Sequence, residues 1–275
     1  MNLAADPPSA WPASPVTAPA ANQVRVWRFD LEDPAWPRTE LAGLLDSGER
    51  RRAAGLARTV DQRRFIVRHG VVRHLLAVIT GVAPSQLPLR WVEGQRPQVT
   101  GAGLELSVSH SEGLALVAVA GAGARVGVDV ETLRCLPDRP ALSEVICTPR
   151  ERRGLHGHSE GEATRRLLVT WTAKEAYLKA VGTGLATDPA AVEVSPATGG
   201  GLALLAVAGD RGAAAGWRLH ALVPSPGTVG ALAVARGHSL VVTGSLTPAL
   251  LEAAGPRATG QGPRSPRRTI LCSSA

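Results

Sequence analysis

The order of apolar patterns along the chain constrains its fold more than any other feature. Residues 61–80 and 163–181 have the periodicity of long helices, and the glycine that follows each one predicts its end, at Gly81 and Gly182. Short alternating runs typical of strands lie around these two segments. Because the helices and strands do not follow one another in a regular βαβ rhythm, the sequence predicts an α+β fold.

The remaining elements are predicted from shorter patterns. Strands are predicted at residues 24–29, 104–110, 114–120, 125–131, 192–194, 202–207, 218–222 and 228–235, and further helices at residues 41–57 and 149–155.

Composition divides the chain into two halves between two unusual ends. Residues 1–22 are rich in Ala and Pro, and residues 255–275 in Gly, Pro, Arg and Ser, which predicts a disordered leader and a disordered basic tail. Between them we expect an N-terminal α+β half over residues 23–124 and a C-terminal α+β half over residues 125–254. Each half contains one long helix, which favours a helix packed on a small sheet.

Cysteine usage and hydropathy indicate the compartment. The three cysteines, Cys135, Cys147 and Cys272, are widely spaced and form no C-x-x-C, so neither a disulfide framework nor a zinc site is expected. The N-terminus lacks the pattern of a secretory signal, and no apolar run approaches the ~18 residues that cross a bilayer. We therefore expect a soluble, cytoplasmic protein with no membrane partner.

The positive charge indicates an anionic partner but not which kind. The formal net charge of +7 suits an anionic substrate, an acidic protein or a nucleic acid. Aromatic residues make up 3% of the chain and no groove-reading motif is present, which argues against nucleic acid. Of the 30 basic residues, two are lysines, Lys174 and Lys179. Since arginine is used everywhere else, these two positions indicate a need for a compact ammonium group.

A pair of carboxylates lies on one face of the strand predicted over residues 125–131. Side chains alternate along a strand, so three valines face one side while Gly127, Asp129 and Glu131 face the other. Two like charges side by side are unfavourable unless a cation lies between them. Oxygen ligands of this kind suit Mg²⁺ bound to a substrate phosphate, although a solvated strand face gives the same pattern.

Glu175 stands on the apolar stripe of the helix predicted over residues 163–181. It follows Trp171 by four residues and precedes Leu178 by three, and both belong to that stripe. A carboxylate on the inward line of a helix is costly unless it is paired or binds a metal. Lys179, four residues later, offers the simpler alternative of a helix-surface ion pair.

Other motifs indicate chemistry less specifically. Ser109 and His110 end a predicted strand, but no G-x-S-x-G motif occurs, so a serine hydrolase is poorly supported. The glycines between residues 121 and 127 imitate a dinucleotide fingerprint, yet a strand rather than a helix follows them. The arginines of the first predicted helices form a solvated face or hold phosphate.

Taken in order, these segments resemble the 4′-phosphopantetheinyl transferase superfamily, in its larger monomeric class that acts on carrier proteins of peptide and polyketide synthases. The most specific matches are Val126-Gly-Val-Asp129-Val-Glu131 and Trp171-x-x-Lys174-Glu175-Ala-Tyr177-x-Lys179. Weaker matches are Asp61-x-x-Arg64-Phe65-x-x-x-Arg68 with Arg73, the turn Gly94-Gln-Arg-Pro97, Ser107-Val-Ser-His110-Ser111, and Gly182-x-Gly184-Leu185.

The resemblance implies two similar α+β halves with pseudo-two-fold symmetry and the active site at their interface. It implies transfer of the 4′-phosphopantetheine moiety of coenzyme A to a serine of an apo acyl or peptidyl carrier protein, with release of 3′,5′-ADP. The implied Mg²⁺ ligands are Asp129, Glu131 and Glu175, and the implied catalytic residues are Glu175, Lys174 and Lys179. The implied coenzyme A contacts are Arg52, Arg64, Arg96, Ser109 and His110.

The chain departs from the family pattern in three places. Its turn is one residue longer than the usual G-K-P, so Arg96 takes the place of the lysine. The segment 145–155 lacks the aromatic residue usually found there, and residues beyond 200 match nothing specific. A basic nucleic-acid-binding protein and a family member that binds coenzyme A without transfer are the alternatives. The presence of all three carboxylates and both lysines favours the enzyme. We expect a monomer with no nucleic-acid partner.

Overall fold

The computed structural model describes residues 11–92, 96–183, 187–196, 201–238 and 240–255. The helices are α1 (Arg38–Leu44), α2 (Ser47–Ala54), α3 (Thr59–Thr80), α4 (Arg139–Ile146), α5 (Pro149–Arg153), α6 (Glu160–Val181), α7 (Arg211–Ala215) and α8 (Pro248–Ala254). The strands are β1 (Gln23–Asp30), β2 (Leu89–Arg90), β3 (Gln98–Val99), β4 (Leu104–Ser111), β5 (Leu114–Gly121), β6 (Val126–Thr132), β7 (Val192–Pro196), β8 (Leu202–Val207), β9 (Trp217–Leu222), β10 (Thr228–Ala235) and β11 (Leu240–Ser245). The predicted α+β class is confirmed.

Two sheets form the centre of the fold. The first has the strand order β11-β1-β5-β4 and the second the order β6-β10-β9-β8-β7. Alternate side chains of β1, β5, β6 and β10 meet between the sheets in one buried cluster that includes Val26, Leu116, Val128 and Leu232. Opposite faces of the sheets carry the long helices, with α3 against the first sheet and α6 against the second. The result is a helix–sheet–sheet–helix arrangement, which buries both faces of each central strand.

The two long helices have the same length and the same kind of ending. Both α3 and α6 contain 22 residues, and each ends at a glycine in the left-handed region, Gly81 at φ 71° and Gly182 at φ 84°. Glycine adopts this conformation without steric cost, so both predicted helix ends are confirmed. The two-fold relation between the halves stays a prediction.

The helix predicted over residues 41–57 is interrupted. Leu45 and Asp46 leave the helical conformation, and the Asp46 side chain accepts a hydrogen bond from the N–H of Glu49 to start α2. The Glu49 side chain in turn accepts from the N–H of Asp46, which completes a capping box. This local cap ends one helix and begins another where apolar periodicity alone predicts a single helix.

The predicted division into halves differs from the structure at the C-terminal side. Strand β11 pairs in parallel with β1 and so belongs to the first sheet, although residues 240–254 lie in the predicted second half. Leu246 and Leu251 pack in the core beneath α3. This pairing joins residues about two hundred positions apart, which sequence periodicity does not report.

Part of the predicted disordered leader lies against the body of the protein. Trp11 is buried, and its Nε1–H donates to the carbonyl of Val223 at 3.0 Å. Ala13 forms an isolated bridge with Ser245 at the end of β11. The apolar Trp11 and Val16 give residues 11–22 more burial than their Ala- and Pro-rich composition indicates. Residues 1–10 and the predicted tail from 256 onward lie outside the described residues.

Within the described ranges, none of the helices combines the length and the hydropathy that a membrane span requires.

Candidate active site

Three serines join the edges of the two sheets. Strand β4 ends the first sheet and β6 ends the second, and Ser107, Ser109 and Ser111 of β4 point toward β6; we call these three residues the serine seam. Ser107 Oγ accepts from the N–H of Val128 at 3.0 Å, and Ser111 Oγ accepts from the N–H of Thr132 at 3.0 Å. An edge strand leaves such N–H groups unpaired. The seam satisfies them with hydroxyls and places β6 beside β4.

The middle serine of the seam belongs to a buried charged cluster. Ser109 Oγ donates to Asp129 Oδ1 at 2.7 Å, and Lys179 Nζ donates to the same oxygen at 2.6 Å. Lys179 Nζ also lies 3.1 Å from Ser109 Oγ. Burial raises the pKa of Asp129, the charge of Lys179 opposes that rise, and Glu131 adds to it.

Glu131 is held on the same face of β6, two residues after Asp129. Ser111 Oγ donates to Glu131 Oε2 at 3.0 Å, and Arg134 Nη1 donates to that oxygen at 2.7 Å. The valines of β6 lie in the core between the sheets, so the predicted alternation of this strand is confirmed. The two carboxylates therefore face α6.

Glu175 completes the acidic group from the side of α6. Its Oε1 is buried and has no hydrogen-bond partner among the described residues. Desolvation raises the pKa of Glu175, and the charge of Asp129 raises it further. A buried carboxylate oxygen is costly unless it is paired, so Glu175 Oε1 suits contact with a cation or a hydrogen-bond donor.

Gly127 allows α6 to approach β6 closely. A Cβ atom at Gly127 would lie 2.0 Å from the carbonyl oxygen of Ala176 and 2.5 Å from the nitrogen of Ala180. Both are backbone atoms, so any side chain at this position would push the helix away from the strand. The backbone of α6 therefore fills the space beside Gly127. This contact places Glu175 and Lys179 next to the carboxylates of β6.

The donor set suits Mg²⁺, although the carboxylates do not surround a single point. Three carboxylates offer hard oxygen ligands, and one of those oxygens is buried without a partner. Across the described ranges, however, no three His, Cys, Asp or Glu side chains are grouped closely enough to hold a metal ion. Lys179 and Arg134 bind the oxygens of Asp129 and Glu131 instead.

A cationic cavity of about 460 Å³ opens between α2, α3 and the end of β4. It is lined by Arg52, Gly55, Leu56, Asp61, Arg64, Phe65, Arg68, His110 and Glu112. The structure thus brings together three of the predicted coenzyme A contacts, Arg52, Arg64 and His110. Burial, followed by the charge of Arg52, lowers the pKa of Arg68 to about 10. Burial and the neighbouring charge of Arg52 both disfavour the charged form of Arg68, and a bound anion would offset both effects.

Two predicted coenzyme A contacts lie elsewhere. Arg96 forms an ion pair with Glu105 at 2.8 Å and is not part of the cavity wall. Residues 93–95 of the predicted turn lie outside the described residues, as do Gly184 and Leu185. Ser109 faces Asp129 and Lys179, whereas the next residue, His110, faces the cavity. Successive side chains of β4 therefore serve the charged cluster and the cavity in turn.

Lys174 lies apart from the three carboxylates. It is fully buried, and its Nζ donates to the Ile146 carbonyl at 2.7 Å, to Glu151 Oε2 at 2.6 Å and to the Pro189 carbonyl at 3.1 Å. These contacts use all three ammonium protons. Glu151 also accepts from the N–H of Val194 at 2.7 Å. In this position Lys174 has no proton to offer a substrate phosphate, unlike the catalytic role expected from the sequence.

Several residues of the site were not among the sequence predictions. Ser107 and Ser111 position β6, Arg134 binds Glu131, and Arg68 lines the cavity. The serines follow a period of two along a strand, so they share one face, and that spacing is a usable signal. For Arg68 the sequence offered its place one helical turn after Arg64 and in the motif Asp61-x-x-Arg64-Phe65-x-x-x-Arg68.

The fold and the site together are typical of one class of protein. Two helix-covered sheets meet at a cluster of carboxylates and a lysine, next to a cavity of arginines, as in an enzyme that handles a phosphorylated substrate.

Comparisons with known proteins narrow this class to one family. A family model described as "ACPS: 4′-phosphopantetheinyl transferase superfamily" matches residues 125–233. The 4′-phosphopantetheinyl transferase HetI of Nostoc sp. is 30% identical over 239 residues, which cover 82% of this chain and 92% of that protein. The 4′-phosphopantetheinyl transferase pptA of Paxillus involutus is 28% identical over 188 residues, covering 60% of this chain and 71% of that protein. The chain belongs to the 4′-phosphopantetheinyl transferase superfamily, and the resemblance seen in its motifs is confirmed.

Proposed function

We propose that this chain transfers the 4′-phosphopantetheine moiety of coenzyme A to a serine of an apo acyl or peptidyl carrier protein, releasing 3′,5′-ADP. The observation that carries the proposal is the unpartnered oxygen of Glu175 beside the Asp129–Lys179 pair. An incomplete acidic cluster next to a cationic cavity suits a ligand that brings both phosphate and a divalent cation. The names of the relatives support the same reaction.

Asp129, Glu131 and Glu175 are the residues that would hold Mg²⁺. When bound, the ion would neutralise charge on the diphosphate and stabilise charge on the transferred phosphoryl group. The unpartnered Oε1 of Glu175 and the all-oxygen donor set support this assignment. Binding would require the carboxylates to release the cations that they contact in this structure, Lys179 at Asp129 and Arg134 at Glu131.

Glu175 is our choice for the general base. In the proposed step the carrier serine Oγ attacks the β-phosphorus of coenzyme A, and the bond from that phosphorus to the bridging diphosphate oxygen breaks. The serine proton passes to the Glu175 carboxylate, and 3′,5′-ADP leaves with the bond electrons. Burial and neighbouring carboxylates raise the pKa of Glu175, which brings its proton affinity nearer to what a base needs at neutral pH.

Lys179 would stabilise charge during the transfer. Its side chain is 25% exposed and its Nζ lies at the carboxylate cluster, so Lys179 can contact both protein and substrate. A fixed cation at the transferred phosphoryl group supplies electrostatic stabilisation where negative charge develops. Lys174 would support this arrangement from behind, because it holds α6 to the carbonyls at residues 146 and 189.

The cavity is our proposed site for the nucleotide part of coenzyme A. Arg52, Arg64 and His110 line it, and the buried charge of Arg68 adds to its positive potential. Arginine side chains suit phosphate because their N–H groups bind two oxygens at once. The position of Arg96, paired with Glu105, argues for a lesser role in this binding. We further propose that the protein acts as a cytoplasmic monomer.

The experiment is the intact mass of apo carrier proteins after incubation with this protein, coenzyme A and Mg²⁺. A gain equal to one phosphopantetheine arm, lost with EDTA and with Glu175→Gln, is the expected result. No gain across acyl and peptidyl carriers, with a folded protein that binds coenzyme A, would make the chain a non-catalytic binder instead.

A further inference from the structure

A line of contacts runs from the buried residues Glu49 and His69, behind the cavity wall, to Arg68 and His110 in the wall itself. It begins at Glu49, which accepts from Arg73 Nη2 at 2.9 Å and lies 2.9 Å from His69 Nδ1. Burial works to raise the pKa of Glu49, but hydrogen bonds from His69 and from the Asp46 N–H, with the charge of Arg73, leave that pKa lowered. An ionised carboxylate can only accept hydrogen bonds, so Nδ1 of His69 carries a proton.

The ring of His69 is fixed and neutral. It stacks on Phe65 at 3.8 Å and lies 4.0 Å from the ring of Trp91. Burial lowers the pKa of His69 to about 4, so the imidazole carries one proton at neutral pH. Since that proton is on Nδ1, the Nε2 atom is an acceptor, and Arg68 Nη2 donates to it at 3.2 Å.

Arg68 also contacts a second imidazole. Its Nη1 donates to Nε2 of His110, while its guanidinium lies over the Phe65 ring at 5.6 Å. Desolvation, then the charges of Arg68 and Lys179, lowers the pKa of His110 to about 3, with smaller effects of His69 and Arg64. His110 is therefore neutral, and since its Nε2 accepts, its proton is on Nδ1.

We propose that Arg68 is a positioning residue: held by the Glu49–His69 pair, it fixes His110 as a neutral ring whose Nδ1–H is the donor offered to a ligand in the cavity. Arginine suits this position because its planar fork holds several N–H donors in fixed directions, so that one points to each ring nitrogen. The identity of the ligand, the nucleotide phosphate of coenzyme A, rests on the proposed function. The tautomer of His110 does not.

The first test reads that tautomer in the free protein, without metal or coenzyme A. Long-range ¹H–¹⁵N spectra of protein labelled in histidine, with His110 assigned through His110→Ala, should show His110 in its Nδ1–H form at pH 7.5. Arg68→Met should convert His110 to a mixture that contains the Nε2–H form. Arg63→Met, which removes an exposed arginine of the same helix, should leave the spectrum unchanged. An Nε2–H form in the unmodified protein, or no change in Arg68→Met, overturns the proposal.

The second test separates positioning from direct contact. Arg68→Met should raise the KM for coenzyme A about tenfold, the lower end of the effect of removing a supporting hydrogen bond, with kcat changed less than twofold. In the His110→Ala background the same substitution should have little further effect, because the two residues act as one unit. Additive effects would make Arg68 a direct phosphate contact and overturn the proposal that it acts by positioning His110. Arg68→Gln serves if the Met variant is not folded by circular dichroism.

The two proposals fail separately. If the unmodified protein transfers no phosphopantetheine but shows the Nδ1–H tautomer that Arg68→Met abolishes, the positioning role of Arg68 stands and the proposed reaction is wrong. If transfer occurs but the tautomer of His110 does not change in Arg68→Met, the reaction stands and the positioning role of Arg68 is wrong.

Discussion

Helix α6 carries its two lysines in opposite kinds of surroundings. Lys174 is fully buried, and its three protons are donated to Glu151 and two backbone carbonyls. Lys179, five residues on, binds Asp129 and remains 25% exposed, and nearby Glu175 has an oxygen without a partner among the described residues. The first region makes all its hydrogen bonds within the protein, whereas the second offers an oxygen that a ligand can bind.

This difference separates a structural ion pair from a functional one. Burying charge is costly, so a buried group is tolerated either because every hydrogen bond is made or because a ligand completes the site. The Lys174–Glu151 region meets the first condition, and the Asp129–Glu175 region requires the second. Each prediction below tests one side of this comparison.

The largest effect is expected at Glu175. Replacing Glu175 with Gln should lower kcat for transfer by roughly 10³-fold, because the proposed base and a cation ligand are lost together. Stability in urea should be unchanged or increased, since an unpaired buried charge is removed. Glu162→Gln, which alters a half-buried carboxylate of the same helix paired with Arg166, is the matched control and should keep full activity. A Glu175→Gln protein with normal kcat would show that the Asp129–Glu175 region is not the functional one.

The next effect is on stability rather than on turnover. Lys174→Met should cost ~3–5 kcal/mol of unfolding free energy, because it leaves the Glu151 carboxylate buried without its partner. Urea unfolding followed by circular dichroism measures it. Arg150→Met removes a 63% exposed arginine that is paired with Glu193, and should cost under ~1 kcal/mol.

A double variant sharpens the interpretation of Lys174. Lys174→Met combined with Glu151→Gln should recover part of the lost stability, since the buried charge is then gone. A Lys174→Met protein of normal stability but without transfer activity would return Lys174 to the catalytic residues.

A smaller effect is expected in the serine seam. Ser111→Ala leaves the N–H of Thr132 without an acceptor and removes a donor to Glu131, which should cost ~1–3 kcal/mol. Thermal and urea unfolding report the loss, and transfer should slow less than it does in Glu175→Gln. Ser143→Ala is the control, because Ser143 Oγ donates only within its own helix, to the Pro140 carbonyl. Equal losses for both serines would show that the seam does not specifically stabilise the joint between the sheets.

The smallest effect is a pH dependence of the metal-free protein. The pKa of Glu175 and that of Asp129 are raised above their ordinary values of 4.5 and 3.8, first by burial. The folded state therefore binds protons more tightly than the unfolded state, and stability from these groups is lost as pH rises through the raised pKa values. In EDTA, Glu175→Gln should be more stable than the parent near pH 7, and the gap should narrow toward pH 4.5. A gap that widens on acidification would contradict this sign.

Local patterns predicted the pieces of the site better than their assembly. The alternation of β6 places Asp129 and Glu131 on the face toward α6, and the apolar stripe of α6 marks Glu175 as inward. The different positions of the lysines also follow from the sequence, because five residues turn a helix by about 140° beyond a full circle. Lys174 and Lys179 therefore cannot occupy the same face of α6.

What the sequence does not show depends on contacts between distant residues. The serine seam joins β4 to β6 through hydroxyls, and the sequence of neither strand predicts which sheet edge it will contact. The pairing of β11 with β1 and the contact of Lys174 with Glu151 likewise cannot be predicted from local sequence. Periodicity reports which face of an element is buried, but not what is buried against it.

The parallel pairing of β11 with β1 delays the completion of the first sheet during synthesis. Strand β1 leaves the ribosome about two hundred residues before its neighbour over residues 240–245. The first sheet gains β5 on one side of β1 early, while the other edge of β1 stays unpaired until residues 240–245 are made. Until then that edge is an open template for pairing with other chains, and chaperones that shield exposed strands would act during this interval. A chain released before residue 240 would carry the carboxylates and lysines of the site on β6 and α6, beside a first sheet that lacks its last strand.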